Sequence, residues 1–285
     1  MNLKKIAVIN DLSGFGKCSL TAAIPVISAL GVQCCPFPTA LLSNQTGFKS
    51  YYCCDFTPNM QHYADEWKKM NAEFDAVLTG YISNPAQGEI ISNFIDDFKT
   101  EKTLIVVDPV MADDGEVYSS YSRDSVRSVT SLAQKADLIT PNLTELCILC
   151  GEDYKKVSSQ SKEDLLKSVK EMSQSFASAE KGVITSGIKC GSKIISTVYE
   201  SGTFCAFECE ALPGSFSGTG DILSSFVSAK LVCGASLQSA LLQAQEFIFK
   251  SIKSTVKHSK ADCREAHGVD FEKYLYTLGG SKNEE

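Results

Sequence analysis

A chain of 285 residues that is 44% hydrophobic can bury a large core, and its net charge of −7 disfavours nucleic acid or an anionic membrane surface as the main partner. No apolar run reaches the ~18 residues that cross a bilayer, and the opening Met1-Asn2-Leu3-Lys4-Lys5 lacks the long apolar stretch and cleavage site of a secretory leader. The expectation is a single cytoplasmic domain over 1–285 with a small-molecule partner and a charged tail, frayed at its end, over 260–285. Twelve cysteines without an export signal read as reduced thiols packed as small hydrophobes. Cys147 and Cys150 have C-x-x-C spacing, but they lie on an apolar helical face with no second pair nearby, which reads as packing.

Residues 5–10 form a short apolar strand that ends in Asn10-Asp11, followed by a loop through Gly14-Phe15-Gly16-Lys17. That loop has the spacing of neither a dinucleotide fingerprint nor a P-loop, and Lys17 reads as a surface or helix-start lysine. A helix at 59–73 carries Tyr63 and Trp67 at packing spacing; a strand at 77–79 runs into Thr79-Gly80-Tyr81, and a helix covers 87–99. The strand at 103–108 ends in Asp108-Pro109, and a helix at 122–134 leads to a strand at 138–140 ending in Thr140-Pro141-Asn142. A helix at 163–176 and a strand at 182–185 ending in Thr185-Ser186-Gly187 follow. Residues 193–199 and 203–210 flank Glu200-Ser201-Gly202 as a hairpin, and helices close the pattern at 222–232 and 237–253. His62, His258 and His267 have no nucleophile partner in this pattern.

Compact apolar strands alternating with longer helices predict an α/β fold: three α/β/α layers, a mostly parallel central sheet and a small antiparallel edge. Ligands in such a sheet bind beyond the carboxyl ends of the strands, where the polar strand-end residues would line one rim.

The segment Leu212-Pro213-Gly214-Ser215-Phe216-Ser217-Gly218-Thr219-Gly220-Asp221 then enters the apolar run 222–232. Small residues let the backbone approach a ligand closely, and a helix starting there aims free N–H groups and its positive dipole end at an anion. A carboxylate beside a phosphate is repelled unless it is needed as a base for an incoming hydroxyl, so the pairing with Asp221 suggests phosphoryl transfer. The competing reading is a glycine-rich turn with Asp221 in the first turn of a helix, where Asp is favoured anyway.

The ordered set Ser43-Asn44-Gln45-Thr46-Gly47, Leu78-Thr79-Gly80-Tyr81, Asp108-Pro109, Asn142-Leu143-Thr144-Glu145, Thr185-Ser186 and Phe216 to Asp221 resembles the pyridoxal kinases of the ribokinase-like superfamily, from about residue 5 to 253. Gly-Thr-Gly-Asp and Asn-x-x-Glu mark the superfamily; the Ser-Asn-x-Thr and Leu-Thr-Gly-Tyr segments point to the vitamin B6 vitamers. The resemblance implies ATP-dependent phosphorylation of a hydroxymethyl group, with Asp221 as base and Gly218, Thr219 and Gly220 as the anion hole. It assigns Asp108, Asn142, Glu145, Thr185 and Phe216 to ATP, and Thr46 and Tyr81 to the pyridine ring. Glu145 and Asp108 would hold Mg²⁺, in part through water, and a monovalent cation such as K⁺ would fit the same family pattern. A homodimer is also implied. One departure stands out: Asp11 occupies the place of the family's ring-binding serine, where it would accept from the ring or an aminomethyl group, or else from loop N–H groups. Two alternatives stay open, a hydroxymethylpyrimidine (phosphate) kinase and a vitamer-binding protein that no longer transfers phosphate.

Overall fold

The computed structural model describes residues 3–177, 181–258 and 267–279. In chain order, β1 (Lys5–Ser13) leads into α1 (Ser19–Ala29), β2 (Gln33–Leu42) and the short β3 (Cys53–Asp55). Next come α2 (Thr57–Lys69), β4 (Ala76–Thr79), α3 (Ala86–Phe98) and β5 (Leu104–Val107). A small hairpin of β6 (Ala112–Asp113) and β7 (Glu116–Val117) precedes α4 (Arg123–Lys135), β8 (Leu138–Ile139), α5 (Leu143–Cys150), α6 (Tyr154–Ser158) and α7 (Lys162–Phe176). The last elements are β9 (Gly182–Cys190), β10 (Lys193–Glu200), β11 (Thr203–Glu210), α8 (Thr219–Val232), α9 (Leu237–His258) and a 3₁₀ turn at Glu272–Thr277.

Among the described residues nine strands form one sheet in the order β11-β10-β9-β8-β5-β4-β1-β2-β3. The run from β9 to β2 is parallel, whereas β10, β11 and β3 pair antiparallel at the edges, as the three-layer α/β/α expectation has it. The alternation of β1 shows how the layers form. Ala7 and Ile9 enter one core with residues of α2, α3, α4, α5 and α7, while Ile6 and Val8 enter the other with residues of α1, α8 and α9. Because the chain goes from β1 to β2 on one side and then to β4 on the other, the order reverses between β1 and β4, and a crevice opens at their carboxyl ends.

Several elements differ from the sequence expectation. β1 continues to Ser13, so Asp11 lies within the strand, at a register irregularity against β2 between Asn10 and Leu12. β9 runs on to Cys190 as a partner of β10, so Thr185 is mid-strand; β8 pairs only with Gly182 and Val183, which leaves Thr185 beyond the end of its parallel neighbour. β2 was hidden by Pro36 and Pro38, residues that argue against an inner strand. Gln33 N–H donates to Lys4 O at 2.8 Å, and by alternation the backbone of residues 36 and 38 faces away from β1, on a side where β3 pairs only with Ala40–Leu42. No ladder bond is lost there, and the Pro36 carbonyl accepts from Tyr63 Oη at 3.1 Å.

Trp67 packs among the rings of Phe37, Tyr63, Phe74 and Phe94, as its spacing suggested. The described cysteines are all free, and Cys147 is buried in the core; Cys53, Cys54 and Cys233, however, are exposed rather than packed. Of the expected tail, 260–266 and 280–285 lie outside the described residues, while Val269 and Phe271 are buried against the α1 and α8 layer. Lys17, which stands one residue before the N-cap of α1 and is partly exposed, is ion-paired there with Asp270 at 2.8 Å and Glu272 at 3.0 Å. Among the described residues no helix is long and apolar enough to cross a membrane.

Candidate active site

The start of α8 is shaped by one residue. Gly218 is its N-cap in the left-handed region (φ 82°), and a Cβ there would stand 1.9 Å from the Lys17 carbonyl oxygen, so only glycine fits. No side chain caps this helix, in contrast to Ser122 on α4, Asn142 on α5, Asp153 on α6 and Ser161 on α7. The first-turn N–H groups of Thr219 and Gly220 are thereby left without a capping side chain at the positive end of the helix dipole, and the Thr219 hydroxyl turns back to the Phe216 carbonyl at 3.2 Å.

Asp221 is partly buried in that first turn and accepts from Asn10 Nδ2 at 2.9 Å. Burial pushes its carboxyl up to about 6; the nearby Asp11 charge adds to this, and the Ser19 N–H and Asn10 amide oppose it. A group with that value is mostly ionised at neutral pH yet basic enough to take a hydroxyl proton. Asp11 is buried, with its two oxygens accepting from the hydroxyls of Ser13 and Ser19. Burial raises its carboxyl against the pull of those two hydroxyls. The expectation that loop N–H groups would satisfy Asp11 is therefore replaced by two serine hydroxyls, one of them from Ser19, whose own backbone is left-handed (φ 50°).

Across the crevice, Tyr81 follows β4. Its N–H donates to Asn10 Oδ1 at 2.9 Å, its carbonyl accepts from Thr39 Oγ1 at 2.9 Å, and its ring lies 5.8 Å from that of Tyr121. Burial pushes its hydroxyl up to about 12. Thr46 is exposed in the 43–50 loop, which is joined to the 14–17 loop by a Gln45 N–H bond to the Phe15 carbonyl at 2.9 Å.

Asp108 follows β5 and is buried, with Oδ2 3.8 Å from where a Gly220 Cβ would stand. Glu145, also buried, accepts from Met111 N–H at 3.1 Å and from Asn142 N–H at 2.9 Å. Burial raises both carboxyls; the Asp221 charge lifts Asp108 further, as the Asp108 charge does Glu145. Asn142 is the N-cap of α5, its Oδ1 accepting from Glu145 N–H and its Nδ2 donating to the Ala112 carbonyl at 2.7 Å. Phe216 packs partly against the core that contains α8 and α9.

The residues present suit a hard cation. Among the described residues the ion pairs all lie elsewhere, so Asp108, Glu145 and Asp221 bring three carboxyls together with no lysine or arginine to offset their charge when ionised. The hydroxyls of Thr79 on β4 and Thr185 on β9 are buried without a hydrogen-bond partner, while the hydroxyls of Thr140, just after β8, and Ser224 pull against the rise of the Asp108 carboxyl. Among the described residues no group of three His, Cys, Asp or Glu is placed to enclose a metal, so an ion held here would keep water or ligand oxygens in its shell.

Two site features escaped the sequence reading. Asn10, seen only as strand-end punctuation, bonds to Asp221, to Asp11 N–H and to Tyr81 N–H. Tyr118 follows the β6–β7 hairpin, 39% exposed, with its N–H bonded to the Met111 carbonyl at 3.0 Å; desolvation of the hydroxyl and the charges of Glu145, Asp113, Asp108 and Asp221 raise it. The signal for that hairpin was present as Asp114-Gly115, whose φ values of 47° and 87° are those of a tight two-residue turn.

The phosphomethylpyrimidine kinase family model matches residues 16–264. A crystal structure, with pyridoxal, of a Bacteroides thetaiotaomicron protein assigned as a phosphomethylpyrimidine kinase is similar with a TM-score of 0.88 and 37% identity, covering 97% of this chain and 96% of the other. The pyridoxal kinase of Lactobacillus plantarum is similar with a TM-score of 0.86 and 26% identity, covering 97% of each chain. The hydroxymethylpyrimidine/phosphomethylpyrimidine kinase of Aquifex aeolicus is 28% identical over 260 residues, 88% of this chain and 96% of its own. With the ribokinase-like fold and an uncapped, acid-bearing helix start, the match makes this chain a member of the phosphomethylpyrimidine kinase family, an ATP-dependent small-molecule kinase.

Proposed function

We propose that the protein phosphorylates the 5′-hydroxymethyl group of a vitamin B6 vitamer (pyridoxal, pyridoxamine or pyridoxine), with ATP as donor. The observation that carries this reading is the start of α8: N–H groups of Thr219 and Gly220 that no side chain caps and, in the same turn, a carboxylate raised to about 6 and bonded to Asn10 of β1. Asp221 accepts the hydroxyl proton as the substrate oxygen attacks, and the N–H groups of the Gly218-Thr219-Gly220 turn take the charge that develops on the transferred phosphoryl group. Tyr81 and Asp11 border the ring, and Thr46 joins them from its loop. Asp108, Asn142, Glu145, Thr185 and Phe216 belong to the nucleotide side, Asn142 by fixing Glu145. Mg²⁺, when bound with the nucleotide, supplies neutralisation of phosphate charge, and Glu145 and Asp108 are the residues to hold it, partly through water. A monovalent cation fits the same acids and threonine hydroxyls.

The pyridoxal in the Bacteroides relative supports the vitamer reading. The second reading, a hydroxymethylpyrimidine (phosphate) kinase, is favoured by the family model and the Aquifex relative. A cytoplasmic homodimer completes the proposal, and light scattering near twice the 30.9 kDa chain mass checks the dimer. The deciding experiment is ATP-dependent turnover across pyridoxal, pyridoxamine, pyridoxine and hydroxymethylpyrimidine. The highest kcat/KM is expected for a B6 vitamer; a preference for hydroxymethylpyrimidine selects the second reading, and no turnover of any acceptor overturns both.

A further inference from the structure

Asn10 stands where three functional parts of the crevice meet. Ile6 and Val8 of β1 point into the layer that contains α8, and Asn10 continues that side of the strand to reach the first turn of α8. It is 5% exposed, and its amide has three partners: Nδ2 donates to Asp221 Oδ1 at 2.9 Å, and Oδ1 accepts from Tyr81 N–H at 2.9 Å and Asp11 N–H at 3.0 Å. The orientation of the amide follows from chemistry, since two backbone N–H groups require the oxygen and a carboxylate requires the NH₂. Gly80 makes room for it. A Cβ at residue 80 would stand 2.6 Å from Nδ2 and 2.8 Å from Cγ of Asn10.

We propose that Asn10 is a positioning residue for phosphoryl transfer: its amide holds Oδ1 of Asp221, a carboxylate also met by the Ser19 N–H, and ties it to the turn that carries Tyr81. The base and the ring-side wall are then one hydrogen-bonded unit rather than two independently mobile elements. A hydrogen bond from a buried, neutral amide restrains the carboxylate without taking over its charge, which a lysine or arginine at residue 10 would do. The inference rests on the reading of Asp221 as base.

The two sides of the amide separate by mutation. Asn10→Asp keeps the shape and the acceptor for Tyr81 N–H and Asp11 N–H, but it sets a carboxylate against Asp221, and the pair must repel or share a proton. Either outcome removes the free base. We expect kcat to fall by about 100-fold while KM for the acceptor stays within about threefold. Asn10→Leu removes both sides, so KM should rise about tenfold as kcat falls. Gly80→Ala, which leaves Asn10 in the chain but displaces its amide, should reproduce the fall in kcat.

Rates are taken per nucleotide-binding site, so that loss of folded protein does not count as loss of kcat. The inference is overturned if Asn10→Asp keeps kcat within threefold of wild type while Asp221→Asn does not. It is also overturned if the Asp and Leu variants change kcat and KM alike, the mark of a purely structural role. Should Asp221→Asn itself retain turnover, or the wild type turn over no acceptor, the functional reading falls and this inference with it.

Discussion

At the amino-terminal end of the parallel strands, Asp75 accepts from Lys4 Nζ and from the Lys5 N–H, both at 2.8 Å, and Asp137 accepts from the Ile105 N–H at 2.8 Å and from Lys99 Nζ at 3.0 Å. At the carboxyl end, Asp11, Asp108, Glu145 and Asp221 have only hydroxyl, amide or backbone N–H partners, or each other's charge. The acid-base consequence is opposite. Burial pushes Asp75 up, but Lys4 and the Lys5 N–H outweigh it and hold the carboxyl below its usual range, whereas all four carboxyl-end acids are raised. One end uses acids to pin the starts of strands; the other buries them beside one another, which raises their proton affinity at the expense of stability and suits them to a proton or a cation. The same contrast holds for helix starts, where Asn142 and Glu145 close α5 upon itself and Gly218 leaves α8 open.

The largest effect that breaks this contrast is expected from Gly218→Ala. The left-handed backbone and the 1.9 Å approach to the Lys17 carbonyl force the start of α8 to move, and displacing the anion-binding N–H groups should lower kcat/KM by roughly 100-fold or more. Steady-state kinetics with the preferred acceptor checks it. A smaller change is expected from Asp11→Ser. If the carboxylate reaches a cationic aminomethyl group, the ratio of kcat/KM for pyridoxamine over pyridoxal falls by about tenfold. A ratio within twofold would instead leave Asp11 the task of holding Ser13 and Ser19.

The contrast also has a pH signature. A carboxyl whose folded value is raised from 3.8 to about 6, as for Asp221, favours the fold fully only below 3.8, and that contribution is lost as pH rises through about 6. Asp108 and Glu145 extend the loss to higher pH, while Asp75, which is lowered, weakens the fold only at acid pH. The Tm of the ligand-free protein should therefore drop by several degrees between pH 5 and pH 7.5, and calorimetry should find a shallower drop in Asp221→Asn. The smallest effect belongs to the paired end. Asp75→Ala should cost about 1 kcal/mol by denaturant titration and leave kcat within twofold.

The chemistry of this contrast was more legible than its geometry. The Gly218 to Asp221 segment combines small residues, a helix start and a lone carboxylate, a local pattern that needs no tertiary information. Strands β4, β5 and β8 were readable because burial on both faces leaves continuous apolar runs. By contrast, β2 was obscured because the harmlessness of Pro36 and Pro38 depends on which neighbour β2 lacks, a fact of sheet order. Asn10 was undervalued for the same reason. Its three partners are 1, 71 and 211 residues away in sequence, and only the reversal of strand order between β1 and β4 brings them to one amide.

That Asp221 takes the substrate proton is tested most directly by pre-steady-state transfer of the ATP γ-phosphate to the preferred acceptor in wild type and Asp221→Asn. Asparagine keeps the size of the side chain and can still meet Asn10, but it cannot accept the proton. The expected result is a transfer rate lower by roughly 100- to 10,000-fold, with Kd for nucleotide and acceptor within about threefold of wild type. A transfer rate within a few-fold of wild type would contradict the account, because the raised carboxylate at the open end of α8 would then have no part in the chemistry.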